Sequence, residues 1–159
     1  NGKGIRYYAN GNKYDGEWKN SNKEGKGIFY WKDGDKYEGD WKNGDKEGKG
    51  MFSWKNGDKY DGELKVNLRE GQGIYYFNNG NKYEGDWKKS EKDGKGIMYY
   101  NNGDRFEGEW KNDKKEGEGI LYHSNEEKEI ENYLNGAKTK KNEIIVENQE
   151  TSGNLLNII

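Results

Sequence analysis

Residues 25–41 read GKGIFYWKDGDKYEGDW, and this stretch decides the fold because it sets an Asp-Gly pair between two β-forming runs. Asx-Gly pairs favour a two-residue type I′ turn, which requires a positive φ at both central residues. A hairpin centred on Asp33-Gly34 is therefore predicted. Counting outward from that turn predicts that Tyr30 pairs with Tyr37.

The stretch recurs at a constant step of 23 residues. Its motif reads YDGEW, YEGDW, YDGEL, YEGDW and FEGEW, beginning at Tyr14, Tyr37, Tyr60, Tyr83 and Phe106. A Gly-x-Gly pair follows each copy, and an Asx-Gly pair follows the first four. A fixed period of this kind indicates tandem repeats that each form one supersecondary unit. The sequence thus predicts an all-β fold: an elongated single-layer antiparallel sheet of tandem β-hairpins, with no helical domain.

The repeats define the domain organisation. Residues 1–136 are predicted to form the array, with a partial first copy, five full copies from Tyr14, and a decayed sixth copy as a cap. In that last copy Glu126, Glu129 and Glu131 replace repeat residues, and terminal repeats need a polar outer edge. Residues 137–159 are predicted to be a polar tail, flexible or serving as a docking segment. Because the chain starts in mid-repeat, we expect further sequence before Asn1 in the full protein.

The composition argues for folding on aromatic contacts. Hydrophobic residues make up 28% of the chain and charged residues 36%, yet the chain holds 13 Tyr and 6 Trp. Disordered chains are poor in aromatic residues. The net charge of −2 is spread over interleaved acids and bases, so no basic block predicts a nucleic-acid partner. The chain has no Cys, which excludes disulfide and thiolate chemistry.

The predicted pairing separates two faces, because side chains alternate along a strand. One face is predicted to hold a partner-binding groove, which we call the predicted groove: Tyr37, Trp41, Tyr60, Leu64, Tyr83, Trp87, Phe106 and Trp110. The other face is predicted to hold a secondary strip, which we call the apolar strip: Phe29, Trp31, Phe52, Trp54, Tyr75 and Phe77. Part of the first face is expected to pack on itself between repeats, with the remainder forming the groove. Glycines such as Gly39 are expected to leave room for a neighbouring ring.

No catalytic residue, metal site or cofactor is predicted, and the protein is expected not to be an enzyme. His123 is the only histidine, and it takes a position that is aromatic in the other copies. The carboxylate pairs, such as Glu38 and Asp40, recur in every full repeat. A catalytic pair is placed once, in a cleft that separates the two pKa values. The carboxylates are therefore read as a solvated face.

The combination of YEGDW, GKG and NGDKYEG at a 23-residue step resembles the MORN repeat (membrane occupation and recognition nexus). The resemblance covers residues 2–136, and the departures are Leu64 for Trp, Phe106 for Tyr and the decayed sixth copy. It implies an elongated sheet of consecutive hairpins that serves as an interaction or dimerisation module. Such modules occur in cytoskeletal and ciliary scaffolds and at membrane junctions, and phosphoinositide binding has been proposed for the family.

The function expected from these observations is a protein-interaction scaffold that binds a partner peptide or helix, or a second copy of itself. Carboxylates on the strands of the groove favour a partner with a basic amphipathic segment. Two alternatives stay open: a membrane tether that binds anionic phospholipid, and the regulatory array of a larger enzyme. A basic edge formed by Lys88, Lys89, Lys92 and Lys95 would face the lipid. A cytoplasmic location is expected, with association with the cytoskeleton or a membrane.

Overall fold

The computed structural model describes residues 1–139 and the backbone of residues 143 and 144. In this part of the chain all regular structure is β-strand, and the strands form one antiparallel sheet in which neighbours follow chain order. The predicted fold class is confirmed. The strands are β1 (Gly2–Tyr7), β2 (Lys13–Lys19), β3 (Asn22–Tyr30), β4 (Lys36–Lys42), β5 (Asp45–Ser53), β6 (Lys59–Lys65), β7 (Leu68–Tyr76), β8 (Lys82–Lys88), β9 (Glu91–Tyr99), β10 (Arg105–Lys111), β11 (Lys114–Tyr122), β12 (Lys128–Leu134), β13 (Ala137–Lys138) and β14 (Glu143–Ile144). Among the described residues, no helix is long and apolar enough to cross a membrane.

The Asp33-Gly34 hairpin differs from the prediction in its turn type. The Trp31 N–H donates to the Asp35 carbonyl at 3.0 Å, and the Gly34 N–H donates to the Trp31 carbonyl at 3.1 Å. Of the two central residues only Gly34 has a positive φ, of 107°. The loop is therefore a three-residue connection, a type I turn followed by a left-handed residue, rather than a type I′ turn.

This turn changes the predicted register by one residue. Tyr30 pairs with Lys36 and Phe29 pairs with Tyr37, so the predicted pairing of Tyr30 with Tyr37 is wrong. A one-residue slip carries a whole strand's side chains to the other face. The predicted groove and the apolar strip, which the sequence placed on opposite faces, therefore share one face of the sheet.

Type I′ turns do occur, at the other set of connections. Asn43 and Gly44, which join β4 to β5, have φ values of 51° and 93°. Val66 and Asn67, which join β6 to β7, have φ values of 47° and 68°. These tight turns alternate along the chain with the three-residue loops.

A β-bulge follows each tight turn that joins two full-length strands. In β5 the φ of Gly48 is 74°, and the register of β4 against β5 shifts between Gly39 and Trp41. Between the bulge and the tight turn at Asn43 and Gly44, Lys46 pairs directly with Trp41. A lysine is thereby brought onto the same face as the tryptophan, because side chains of directly paired residues share a face.

A row of paired glycines crosses the sheet under the aromatic rings. Gly39 pairs with Gly27 on one side and with Gly50 on the other. A methyl group on Gly39 would lie 2.5 Å from the Tyr37 hydroxyl oxygen, because the Tyr37 ring lies across the glycine pair. The expectation that glycine leaves room for a ring is confirmed, although the opposing residue is another glycine. The row comprises Gly4, Gly16, Gly27, Gly39, Gly50, Gly62, Gly73, Gly85, Gly96, Gly108 and Gly119.

The glycine row ends at a buried carboxylate. Glu131 of β12 pairs with Gly119 and is 4% exposed. It accepts hydrogen bonds from the Tyr133 hydroxyl at 2.8 Å and from Lys138 Nζ at 2.7 Å, and Lys115 Nζ lies at 3.5 Å. These partners outweigh burial and hold the pKa of Glu131 below its usual value. The last copy therefore closes the array with a buried ion cluster.

The segment after the array is described only in its first residues. β13 and β14 both pair with β12, on the side away from β11. The remainder of the predicted polar tail, with its apolar patch at residues 155–159, lies outside the described residues.

Candidate partner-binding face

The predicted groove residues form a ladder of edge-to-face rings. Trp41 packs between Tyr14, at a centroid distance of 5.3 Å, and Tyr37, at 5.2 Å, with interplanar angles of 84° and 83°. Its Nε1 donates to the Gly27 carbonyl at 3.0 Å. Edge-to-face pairs contribute about 0.5–1.5 kcal/mol beyond the area that they bury. Since Trp41, Trp87 and Trp110 each join the first rings of two repeats, the ladder holds neighbouring hairpins together.

All eight residues of the predicted groove are buried. The rings of Tyr37, Tyr60, Tyr83 and Phe106 are 0% exposed, and the other four members of the predicted groove are at most 6% exposed. Burial raises the pKa of Tyr14, the first ring of the ladder, to about 12. These rings therefore pack on one another inside the array. A partner that binds this face would contact the side chains that cover them first. The binding role assigned to the predicted groove stays a prediction.

Leu64 interrupts the ladder, and this makes a stabilising substitution predictable. By the spacing of the other repeats, a tryptophan here would stand between Tyr37 and Tyr60 and donate to the Gly50 carbonyl. We expect Leu64→Trp to raise the free energy of unfolding by about 1 kcal/mol, from one ring contact and one hydrogen bond. Urea unfolding followed by circular dichroism measures it. A lower stability of the variant would show that the site around Leu64 has closed around the smaller side chain.

The apolar strip is a second, continuous chain of rings beside the ladder. Together with Tyr8, which contacts Phe29, it forms a series of rings that ends at Phe77, with successive centroids 4.4–5.8 Å apart. Its members pack against the buried rings; Phe29 is buried, and Trp31, Phe52, Trp54, Tyr75 and Phe77 are only partly buried. We call the face that holds the ladder and the apolar strip the ring face. The strip supplies most of the ring surface that a partner can reach on this face.

Beyond Phe77 the strip changes in character. Its positions are taken by Met98, Tyr100, Leu121 and His123. His123 lies between two carboxylates, with Nδ1 3.7 Å from Asp104 and Nε2 3.3 Å from Glu129. Its place in the repeat agrees with its interpretation as a substituted ring position. The strip of aromatic rings is thus confined to the first part of the array.

A row of cations on the ring face was missed by the sequence analysis. Lys46 Nζ lies 5.3 Å from the Trp31 ring centroid and 5.0 Å from that of Phe52. Lys23 Nζ lies 4.0 Å from the Trp41 centroid. Such cation–π contacts contribute about 0.5–2 kcal/mol, depending on solvent exposure. The signal in the sequence is the same 23-residue step: Lys23, Lys46, Arg69, Lys92 and Lys115.

These cations differ in their pairing. Burial lowers the pKa of Lys23 and of Lys46, and neither has a carboxylate within 4 Å among the described residues. Lys92 Nζ lies 3.8 Å from an Asp113 oxygen, and Lys115 Nζ contacts Glu131 as described above. Among the described residues, the row of cations thus starts with members that have no directly paired carboxylate and ends with members that have one.

The face opposite the ring face carries the carboxylates, whereas the apolar strip, which was predicted to share a face with them, does not lie there. Glu38 pairs with Ile28 on one side and with Met51 on the other, so acidic and apolar residues alternate across the strands. Lys36 Nζ lies 2.7 Å from Glu38, an exposed pair worth little to stability. We call this the carboxylate face: Asp15, Glu38, Asp61, Glu84 and Glu107, alternating with Ile5, Ile28, Met51, Ile74, Ile97 and Ile120. It holds a shallow depression of 580 Å³ over β1 to β6.

The predicted basic edge is divided among three places. Lys88 and Lys89 are exposed at the tight turn between β8 and β9. Lys92 lies among the rings of the ring face with 14% of its side chain exposed. Lys95 pairs with Glu109 and lies on the carboxylate face. Two lysines, not four, are therefore presented together at that edge.

An open sheet of tandem hairpins, joined by shared rings, defines a repeat protein that offers its faces for contact. The MORN repeat model matches the chain at residues 1–13, 14–36, 37–59, 60–82, 83–105 and 106–126. The chain belongs to the MORN-repeat family. No curated protein matches it.

Several solved structures share part of its shape. The SAS-4 (dCPAP) TCP domain of Drosophila melanogaster, in complex with a proline-rich motif of Ana2 (dSTIL), is 19% identical, with a TM-score of 0.49 over 92% of this chain and 85% of that chain. The TCP10c domain of Drosophila melanogaster Sas-4 is 17% identical, with a TM-score of 0.47 over 92% and 93% of the two chains. The G-box domain of the microcephaly protein CPAP is 11% identical, with a TM-score of 0.41 over 84% and 78%. Similarity at this level assigns no function to the chain.

Proposed function

We propose that this chain is a non-enzymatic protein-interaction scaffold and that a partner polypeptide segment docks along the apolar strip. The observation that carries the proposal is the unbroken chain of rings from Tyr8 to Phe77 on an open sheet face. Exposed apolar patches larger than a few hundred Å² are rare on monomers and mark interaction sites. Trp and Tyr are also the residues most enriched among binding hot spots.

Burial decides which rings of the ring face would meet the partner. The ladder is enclosed between the glycine row and the strip, so its rings hold the sheet together. Trp31 and Trp54 stand beside the three-residue loops and keep part of their surface in solvent. They are our candidates for the central contacts.

Three other readings compete with this proposal. Self-association through the same strip would give a homodimer. A phosphoinositide-binding tether would need a basic edge, and Lys88 and Lys89 are the two lysines presented together there. The regulatory array of a larger enzyme would use the same docking face. A scaffold of this kind fits a cytoplasmic location, with association with the cytoskeleton.

Replacing Trp54 by alanine is expected to weaken partner binding by about 2 kcal/mol, roughly thirtyfold, since it removes a central hot-spot ring. Tyr76→Ala is the matched control, because Tyr76 is exposed on the carboxylate face and 42% accessible. Proteins captured by the parent chain are identified by mass spectrometry, and the affinity of the purified partner is measured by calorimetry.

Folding of both variants is checked first by circular dichroism. Equal affinity of parent and Trp54→Ala would contradict docking along the strip. Flotation with anionic vesicles in the absence of a protein partner would favour the membrane tether instead. Sedimentation of the parent chain alone as a dimer that Trp54→Ala dissociates would favour self-association.

A further inference from the structure

We infer that the segment docked on the ring face is acidic and places a carboxylate at about every third residue, facing Lys23, Lys46 and Arg69. This inference rests on the proposed function and specifies the partner's chemistry. It reverses the expectation of a basic partner. That expectation rested on carboxylates which project from the other face of the sheet.

None of the three cations has a directly paired carboxylate in the described part of the chain, although the charge of Asp45 acts on Lys23 and that of Asp113 on Arg69. Lys23 and Lys46 have no carboxylate within 4 Å there, and neither has Arg69. The Arg69 guanidinium lies 4.3 Å from the Trp87 centroid, and its Nη2 donates to the Ser90 carbonyl. Its Nε is buried without a hydrogen-bond acceptor. Buried unpaired donors cost free energy, and a carboxylate that reaches the guanidinium would recover it.

Rings and cations occur together in the same part of the array. Lys46 lies over Trp31 and Phe52, two members of the strip. Arg69 lies 5.2 Å from the centroid of Tyr75. A segment that buries apolar side chains on the strip therefore brings its backbone past the cations. The site runs from β3 to β8, because Lys92 and Lys115 beyond it have carboxylates of their own.

The spacing of the cations selects the conformation of the segment. They stand on β3, β5 and β7, every second strand, so they are about 9.6 Å apart at the usual spacing of about 4.8 Å between strands. Three residues of a polyproline II helix span about 9.3 Å and return to the same side. In a β-strand, the side chain three residues on points to the opposite side. In an α-helix, a side chain returns to the same side after seven residues, a rise of about 10.5 Å. Aromatic grooves are also a common receptor for polyproline II segments.

A nucleic acid fits this spacing less well. One strand of a duplex carries a phosphate at about every 3.4 Å, far denser than one cation in about 9.6 Å. A peptide with one carboxylate at every third residue would place one negative charge opposite each cation, with no unpaired negative charge between them.

The test is a fluorescence titration of the whole chain, read from its tryptophans, with synthetic peptides that contain no tryptophan. One peptide has Glu at every third position with Pro and Val between, one has Lys in place of Glu, and one has Glu at every seventh position. We expect only the first to bind well, with an affinity that falls as salt is added. Lys46→Gln should weaken its binding about tenfold, the value of one charge-assisted hydrogen bond.

Lys42→Gln is the matched control, since it removes the same charge from an exposed position on the other face, and it should leave binding unchanged. Absence of binding by the first peptide, equal binding of the lysine peptide or of the seventh-position peptide, or an affinity that Lys46→Gln leaves unchanged would each overturn the inference. Preference for anionic vesicles or single-stranded DNA over the first peptide would overturn it as well. If the natural partner is lost with Trp54→Ala but kept with Lys46→Gln, the proposed function stands and the acidic segment does not.

Discussion

Trp87→Ala is expected to lower the free energy of unfolding by about 4 kcal/mol, within the range found for large aromatic truncations in cores. Trp87 is 4% exposed and packs edge-to-face on Tyr60 at 5.4 Å and on Tyr83 at 5.3 Å. Its Nε1 also donates to the Gly73 carbonyl at 3.1 Å. The substitution removes these two edge-to-face contacts, a third ring contact with Tyr75 at 6.0 Å and one hydrogen bond, and it leaves a cavity between two repeats.

Denaturant unfolding measures this loss, and Trp54→Ala provides the comparison. Trp54 keeps part of its ring in solvent, so its truncation should cost roughly 1–2 kcal/mol. Equal losses for the two variants would contradict the division of the ring face into a structural ladder and an accessible strip.

Gly50→Ala is expected to destabilise the protein by about 3 kcal/mol, although it adds a single methyl group. The new carbon would lie 2.5 Å from Cε2 of Tyr37, whose ring lies flat across Gly39 and Gly50. The ring would have to leave its place and give up the hydrogen bond from its hydroxyl to the Asp40 carbonyl. The loss arises from overpacking.

Gly4→Ala serves as the matched control, since Gly4 belongs to the same row. A methyl group there would lie 3.6 Å from the nearest Trp18 atoms, an ordinary contact. We expect its stability to stay within about 0.5 kcal/mol of the parent, as for a substitution that creates no clash. If Gly50→Ala proved as mild as Gly4→Ala in urea unfolding, the Tyr37 ring would not be fixed on the glycines.

The fold was predictable because the 23-residue period and the turn residues agree. The pairing of the strands was not, because Asp-Gly also fits a longer loop. In such a loop the aspartate keeps a negative φ, and its carboxylate accepts from the backbone, as Asp33 does from the Asp35 N–H at 3.3 Å. The two turn types differ by one residue in strand register. Because side chains alternate between the two faces of a sheet, an error of one residue assigns the apolar strip to the wrong face.

The candidate site was only partly predictable for a related reason. Lys46 faces Trp41 because Asn43 and Gly44 form a tight two-residue turn, and the sequence prediction counted strand pairs only from the Asx-Gly turns. The burial of the ladder was also underestimated. A single-layer sheet has no second layer to cover its rings, but here the rings cover one another and the lysines cover the rings.

The interruption of the ladder at Leu64 has a consequence for cooperativity. In a linear array each repeat is coupled only to its neighbours, so the weakest joint sets where the chain can open. The tryptophans that bridge tyrosines elsewhere are replaced at one joint, between Tyr37 and Tyr60. The two sides of this joint are held by the pairing of β5 with β6, by Leu64 and by the strip, through Trp54 and Tyr75 at 5.3 Å, so the array can be regarded as two blocks in series. A segment bound along the strip contacts both sides of this joint. Its binding energy would stabilise the joint, so that the two blocks unfold together.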